Sequence, residues 1–103
     1  MIVSITKLER KNFWVLPRFF KHVFKIYKQL KASKCVKFAT SGKGNCSYTK
    51  SLWHNEEEMM QFVTSGAHLA AMKDIKKISS STKVKHFEAD ALPEWEFVYQ
   101  ELQ

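Results

Sequence analysis

The order of strand-like and helix-like segments most constrains what this 103-residue chain can fold into. Residues 2–8 have the short, β-branched pattern of a strand, and residues 17–32 carry apolar side chains at the spacing of an amphipathic helix. Residues 35–40 and 46–53 predict two further strands on either side of a glycine-containing turn. The first half of the chain is therefore expected to run β-α-β-β.

A second helical segment follows this predicted hairpin and is interrupted once. Asn55 is expected to cap the helix, with Glu58 three residues further on, as in a capping box. Gly66 predicts a C-cap or a kink, after which residues 67–78 continue as helix.

The last quarter of the chain completes the order. SSST at residues 79–82 predicts a loop, residues 82–89 predict a fourth strand, and Pro93 is expected to open a short C-terminal helix. The β-α-β-β-α-β order predicts an α+β, ferredoxin-like domain, in which two helices cover one face of a four-stranded antiparallel sheet. The length suits a single domain over residues 1–103.

The second face of such a sheet also needs a cover, because a sheet buries its apolar face against another layer. Within one chain only the C-terminal helix is available for this purpose. A small domain also buries a modest fraction of its surface by itself. A homodimer that packs two sheets face to face is therefore the expected assembly.

The composition excludes several classes of protein. Hydrophobic residues make up 45% and aromatic residues 14% of the chain, which argues against disorder. No apolar run approaches the roughly 20 residues of a membrane span. The first ten residues turn polar too quickly for a signal peptide, so a cytoplasmic protein is expected. The glycine-rich nucleotide-binding, zinc-protease and serine-hydrolase signatures are absent.

The net charge of +7 is distributed unevenly. Residues 1–50 carry 12 Lys or Arg and one acid, whereas residues 51–103 carry five Lys and nine acids. This asymmetry favours either an anionic partner or two halves, or two subunits, that complement each other. Four cations of the first helix could meet phosphates: Arg18, Lys21, Lys25 and Lys28. Because the predicted strands lack the aromatic pattern of RNA-binding sheets, a nucleic-acid partner is not expected.

The two cysteines, Cys35 and Cys46, are expected to be free thiols. A turn centred near Lys43 would place Cys46 opposite about Thr40, with Cys35 far along the strand, beyond the reach of a disulfide. Two cysteines without a CxxC spacing are also a poor zinc site.

His68 is the main candidate for chemistry. Its spacing places it on the apolar stripe of the second helical segment, beside Met72, so it is expected to point inward. An imidazole there is either a metal or haem ligand or a core group bonded to a backbone carbonyl, and position alone favours the core group. Trp53 could wall a pocket between sheet and helix. His86 and Glu88 share one face of the fourth strand and could act as acid and base. A face that is exposed to solvent and has no catalytic role is the simpler interpretation.

The stretch from Trp53 to Met72, which with the two preceding residues reads SLW, then acidic residues, then MMQFVTSGAHLAAM, resembles the dimeric α/β-barrel superfamily. That group includes antibiotic-biosynthesis-type monooxygenases, haem-degrading monooxygenases and spheroidene monooxygenase. The chain looks most like small, uncharacterised members of the spheroidene monooxygenase type. LPRFFKHVFKIYKQLKAS and ALPEWEFVYQEL extend the similarity over nearly the whole sequence.

The resemblance implies a homodimer with a pocket between helices and sheet in each subunit, and a monooxygenase-like activity on a bulky apolar substrate, with or without haem. Haem-degrading members use an asparagine, a tryptophan and a histidine. Trp53 and His68 match the last two, and Asn12 and Asn55 both remain open for the first.

His68 would be the cofactor-binding or catalytic group of such a pocket, together with Trp53. The lining would comprise Trp53, Phe62, Met72, Phe38 and His86. The alternative is a non-enzymatic homodimer of the same fold, either structural or binding a small ligand, because no second catalytic group is evident near His68.

Overall fold

The computed structural model describes residues 1–103 and contains four strands and four α-helices. A short 3-10 helix, Phe13–Val15, precedes the first α-helix. In chain order the elements are β1 (Ile2–Arg10), α1 (Leu16–Ala32), β2 (Lys37–Lys43), β3 (Cys46–Trp53), α2 (Glu56–Val63), α3 (Gly66–Ile78), β4 (Ser79–Glu88) and α4 (Trp95–Glu101).

The four strands form one antiparallel sheet in the order β2-β3-β1-β4. The β-α-β-β-α-β order and the C-terminal helix are those of the predicted ferredoxin-like fold, which is confirmed. The two central strands, β1 and β3, pair from Ile2 opposite Trp53 to Glu9 opposite Cys46. Because side chains alternate along a strand, this register determines which residues face each layer of helices.

The sheet separates two apolar clusters. On the face covered by α1 and α2, Trp53 is buried with residues of both helices, namely Leu30, Met59 and Phe62. The opposite face carries a cluster with α4, made of Val3, Ile5, Tyr48, Leu52, Val98 and Leu102. The second face, which was expected to need a cover, is therefore covered at its centre by α4.

Polar and aromatic contacts hold α4 on the sheet. The Lys50 ammonium donates to the Pro93 carbonyl at 2.7 Å and lies 4.3 Å from the centre of the Trp95 ring. The Tyr99 hydroxyl is 2.7 Å from the Ser41 hydroxyl, and Tyr48 packs edge-on against the Tyr99 ring. Since cation–π contacts strengthen when desolvated, the pair of Lys50 and Trp95 favours the docked helix.

The hairpin turn lies later in the chain than predicted, between Lys43 and Cys46. Strand β2 continues through Lys43, which pairs with Cys46, so the connection is the two-residue loop Gly44-Asn45. Gly44 takes a positive φ of 57°, as a tight hairpin turn requires. The prediction that Cys46 lies opposite Thr40 is therefore wrong, but the prediction of free thiols is confirmed, since Cys35 precedes β2.

Two strands are longer than predicted. Residues 79–82, expected to be a loop, belong to β4, because Ser79 bonds across the β1–β4 irregularity at Glu9 and Arg10. The Ser79 hydroxyl donates to the Glu9 carbonyl at 2.8 Å. This contact joins residues 70 positions apart, so the local sequence pattern does not show it. Residues 9 and 10, which lie beyond the predicted end of the first strand, extend β1.

Asn55 caps α2 as predicted, and its side chain accepts a hydrogen bond from the Glu58 backbone N–H at 2.8 Å. The return bond of a capping box is missing, since the buried Glu58 Oε1 has no hydrogen-bond partner. The three acidic residues of the first turn still suit the positive end of the helix.

We expect Asn55→Ala to lower the free energy of unfolding by about 1 kcal/mol, because one helix N–H loses its partner. Urea denaturation followed by circular dichroism measures this. His54→Ala, at the exposed neighbouring position, is the control and should change stability by less than about 0.5 kcal/mol. An equal loss in both variants would show that the cap contributes nothing.

Candidate functional site

Trp53, Phe62 and His68 form a row of rings between the sheet and the helices. Trp53 ends β3 and is 1% exposed, and its indole N–H donates to the Ser51 hydroxyl at 2.9 Å. Its ring centre lies 5.3 Å from that of Phe62, which in turn lies 5.2 Å from the His68 ring. The structure thus brings together three of the residues that the sequence singled out.

The His68 ring is held by its Nδ1 atom, which lies 3.1 Å from the Val63 carbonyl oxygen. Because a carbonyl only accepts, Nδ1 carries a proton, and Nε2 of the neutral ring has a free lone pair. Burial lowers the pKa of His68 from its ordinary 6.5, and the bond to Val63 partly opposes this. The neutral ring is thus the form present at pH 7.

This geometry suits both roles that the sequence left open. A histidine bonded to a backbone carbonyl is the core arrangement. The same Nδ1–H contact also orients histidines whose Nε2 binds a metal or accepts a proton. Nε2 makes no hydrogen bond within the chain, and His68 is only partly buried, so this nitrogen can meet a ligand.

Gln29, which the sequence analysis did not single out, positions His68. Its amide group, on α1, donates to the carbonyls of Phe62 at 3.1 Å and Ser65 at 2.9 Å. Its Oε1 accepts from the His68 backbone N–H at 2.8 Å. At the same junction Gly66 has a φ of +57°, and an added Cβ would lie 3.2 Å from the Gln29 amide. The break between α2 and α3 is therefore built around one glutamine.

Beyond the rings, the helix-facing side of the central strands is lined with hydroxyl groups. Ser4 pairs with Ser51, and Thr6 pairs with Thr49. Ser4, Thr6 and Thr49 are only partly buried although they lie on the side covered by helices. Solvent therefore reaches these three side chains between sheet and helices, and we call this region, with its polar floor, the cleft.

Arg10 lies at the other end of the cleft. Its guanidinium group donates to the Ser47 hydroxyl at 2.6 Å and to the Gly44 carbonyl at 2.7 Å, and lies 5.0 Å from the centre of the Phe19 ring on α1. One end of the cleft is thus apolar and aromatic, and the other carries a fixed positive charge. The serines and threonines that alternate along β3 were visible in the sequence, but Arg10 lies beyond the predicted end of the first strand.

The remaining predicted residues are less central. Phe38 packs at the margin of the Trp53 cluster and edge-on against Tyr27. His86 is exposed on β4, opposite Ser4. Met72 is 52% exposed, so the prediction that it points inward beside His68 is wrong. The less exposed side of α3 centres on Ala71 and Ile75, about a quarter turn from Met72.

Two cavities lie beside or beyond this row of rings. One, of about 280 Å³, is a polar groove between α1 and α2 that includes Gln29, Glu58 and Phe62. The other, of about 550 Å³, is more apolar and lies between the β2–β3 edge and residues 90–92. His68 lines neither of them.

We expect His68→Ala to lower the free energy of unfolding by about 1–3 kcal/mol, because the Val63 carbonyl loses its donor and the Phe62 ring loses a neighbour. His68→Asn keeps a donor near the Nδ1 position and should recover part of this loss. Urea denaturation at neutral pH measures both, and equal stability of all three proteins would contradict the core contact.

The pH dependence of stability gives a second test of His68. Because its pKa is lowered in the folded state, the unfolded chain binds a proton more readily, and stability should fall as pH drops below about 6.5. His68→Asn should flatten this part of the curve. Asp74, whose pKa is lowered chiefly by its bond to His22, contributes only at more acidic pH.

Comparisons with known proteins identify related structures and no related sequence. No protein-family model and no curated protein sequence matches the chain. A candidate antibiotic biosynthesis monooxygenase from Deinococcus radiodurans superposes with a TM-score of 0.77 at 14% identity, covering 91% of this chain and 97% of that one. A conserved protein from Methanosarcina mazei gives 0.76 at 11% identity, covering 86% and 92%.

A further candidate antibiotic biosynthesis monooxygenase, from Nitrosomonas europaea, superposes with a TM-score of 0.75 at 8% identity, covering 88% of this chain and all of that one. At such identities the likeness establishes the fold alone. The fold implied by the resemblance to the dimeric α/β-barrel superfamily is therefore confirmed: the chain has the ferredoxin-like α+β fold of structures assigned to antibiotic biosynthesis monooxygenases.

Proposed function

We propose that this chain is a monooxygenase-like protein that binds a bulky, largely apolar substrate in the cleft between the sheet and α1. The observation that carries this proposal is the row of partly exposed hydroxyl groups, Ser4, Thr6 and Thr49, on a sheet face that helices cover. A face that serves only as core is usually apolar. Hydroxyls on an otherwise apolar wall are typical of ligand sites, where they fix orientation.

Each end of the cleft has a distinct role in the proposal. Phe62, which is 8% exposed, gives an apolar edge that a ring system can contact, and the buried Trp53 supports it from behind. His68 presents Nε2, which can accept a proton from an acidic C–H or O–H of the substrate, since its lowered pKa keeps it neutral. Arg10, held by Ser47 and Gly44, would attract a carboxylate, phenolate or other anionic group at the opposite end.

Haem is the cofactor that the resemblance raised for His68. The donor atom fits, because Nδ1–H is engaged by Val63 and Nε2 is available for iron. Neither of the two cavities described above supplies space for haem at this nitrogen, because His68 lines neither of them. We therefore favour a pocket that works without haem and assign no step to it.

A non-enzymatic binding protein of the same fold is the second candidate. The observation that favours it is the surroundings of His68, which consist of a backbone carbonyl, a glutamine amide and a benzene ring. A catalytic histidine is usually oriented by a carboxylate or a second titratable group. In this reading the cleft holds a ligand without changing it.

Binding to the cleft can be tested with anilinonaphthalene sulfonate, whose rings and single anion match its apolar and cationic ends. Thr49→Leu fills the floor and should weaken binding at least about tenfold. Ser81→Leu, exposed on the other face of the sheet, is the control. Equal affinity of wild type and Thr49→Leu would remove the cleft from the proposal.

Catalysis can be tested by oxygen uptake with polycyclic phenols, wild type beside His68→Asn. Oxygen uptake by the wild type and not by His68→Asn supports the monooxygenase hypothesis. Binding of these phenols without uptake supports the non-enzymatic one. A haemin titration of the same proteins completes the set, and a saturable Soret shift lost in His68→Asn would contradict our preference for a haem-free pocket.

The homodimer remains a prediction, and light scattering tests it. We expect twice the chain's mass of 12.1 kDa, with the partner packed on the α4 side of the sheet. Phe97 of α4 is 41% exposed there, beside Phe87. A monomer at all micromolar concentrations would show that α4 alone is a sufficient cover.

A further inference from the structure

The outer side of α1 carries large aromatic residues that the rest of the chain leaves about half exposed or more. Phe20, Phe24 and Tyr27 recur at helical spacing and are 50%, 69% and 45% exposed. Phe13 and Trp14, just before the helix, are 72% and 85% exposed. Scattered apolar residues are normal on protein surfaces, but a row of aromatic rings along one helix indicates an interaction surface.

This aromatic row is surrounded by positive charge. The sequence contains no Asp or Glu between Glu9 and Glu56. The Lys31 ammonium lies 4.8 Å from the centre of the Tyr27 ring, and the flank of the row carries three more exposed lysines, Lys21, Lys25 and Lys28. We call these four lysines, with Trp14, Phe20, Phe24 and Tyr27, the aromatic–lysine face.

The opposite side of α1 is already engaged, so the helix cannot turn this face inward. The His22 Nε2–H donates to the Asp74 carboxylate of α3 at 2.9 Å, and Arg18 contacts the same carboxylate at 3.4 Å. Gln29 bonds to the α2–α3 junction, and Leu30 is buried against Trp53. Arg18, which the sequence grouped with the free lysines, therefore belongs to the internal contacts.

We propose that the aromatic–lysine face docks on a bilayer that contains anionic phospholipids. A helix lying in the plane of the membrane surface places aromatic rings at the headgroup–acyl boundary, while lysines beside them reach the phosphates. Charge complementarity favours this partner, because the face contains four lysines and helix α1 contains no acidic residue. No helix of the protein meets the length and apolarity of a membrane span, so docking would be confined to the surface.

Two other occupants fit the face less well. In a symmetric dimer formed through this face, the four lysines would lie opposite the same four lysines of the second copy. Like charges across an interface repel each other. Single-stranded nucleic acid binds in basic grooves with stacking platforms, whereas this face is the convex outside of a helix. The proposed dimer uses the α4 side of the sheet, so both copies would leave α1 free.

Sedimentation with extruded vesicles tests the proposal, comparing pure phosphatidylcholine with mixtures that contain phosphatidylglycerol. We expect binding only to the anionic vesicles, weakened by salt. Phe20→Ser with Phe24→Ser should weaken partitioning at least about tenfold, and each of Lys21→Gln, Lys25→Gln and Lys28→Gln about fivefold.

The chain offers matched controls for both kinds of change. Val84→Ser on β4 removes an apolar residue of similar exposure, 54%, and Lys76→Gln with Lys77→Gln removes two exposed lysines of α3. These variants should bind as the wild type does, and circular dichroism should show that all variants fold.

Trp14 gives an independent readout, because it is far more exposed than Trp53 and should shift its emission to shorter wavelength when vesicles bind. Trp14→Phe should abolish that shift. Equal binding to both kinds of vesicle, or no loss in the α1 variants, would overturn the proposal. So would retention by heparin or single-stranded DNA, lost in the same variants, without any vesicle binding.

Discussion

The pairing of β1 with β3 is the constraint on which the rest of the structure depends. Ile2 opposite Trp53 puts the indole on the side of α1 and α2, and Val3 opposite Leu52 puts those side chains under α4. A slip of one residue would exchange the two faces. It would move the hydroxyls of the cleft beneath α4 and the apolar core into the cleft. The register therefore defines the core and the candidate site together.

The second organising contact is the Gln29 amide, which ties α1 to the junction of α2 and α3. It satisfies three backbone groups where a helix ends and the next begins, groups that would otherwise need water. His68 lies just after that junction, and its ring is held by the Val63 carbonyl. The position of its free Nε2 thus depends on a residue of another helix. His68 can be a core residue and a ligand at once. Its Nδ1 atom makes the core contact to Val63, and its Nε2 atom remains available for a ligand.

Helix α1 has two functional sides in our proposals. Its inner side packs on α3 and the sheet and provides Phe19, which contacts Arg10 at the cleft's cationic end. Its outer side presents the aromatic–lysine face. The Asp74 contacts of His22 and Arg18 keep the two sides distinct, since they fix the rotation of the helix against α3. A bulky apolar substrate partitions into lipid, so a protein that docks on a bilayer would meet such a substrate there.

The sequence by itself determined the order of elements, because helical and strand periodicities are local and strong: residues 17–32 and 46–53 were recognisable without any partner. It also determined the Asn55 cap and the candidates Trp53, Phe62 and His68. Only the tertiary structure decided the extension of β4 through Ser79, the place of Arg10 at the cleft, the exposure of Met72 and the role of Gln29. Each of these depends on a contact between residues far apart in the chain, whose geometry no local pattern encodes.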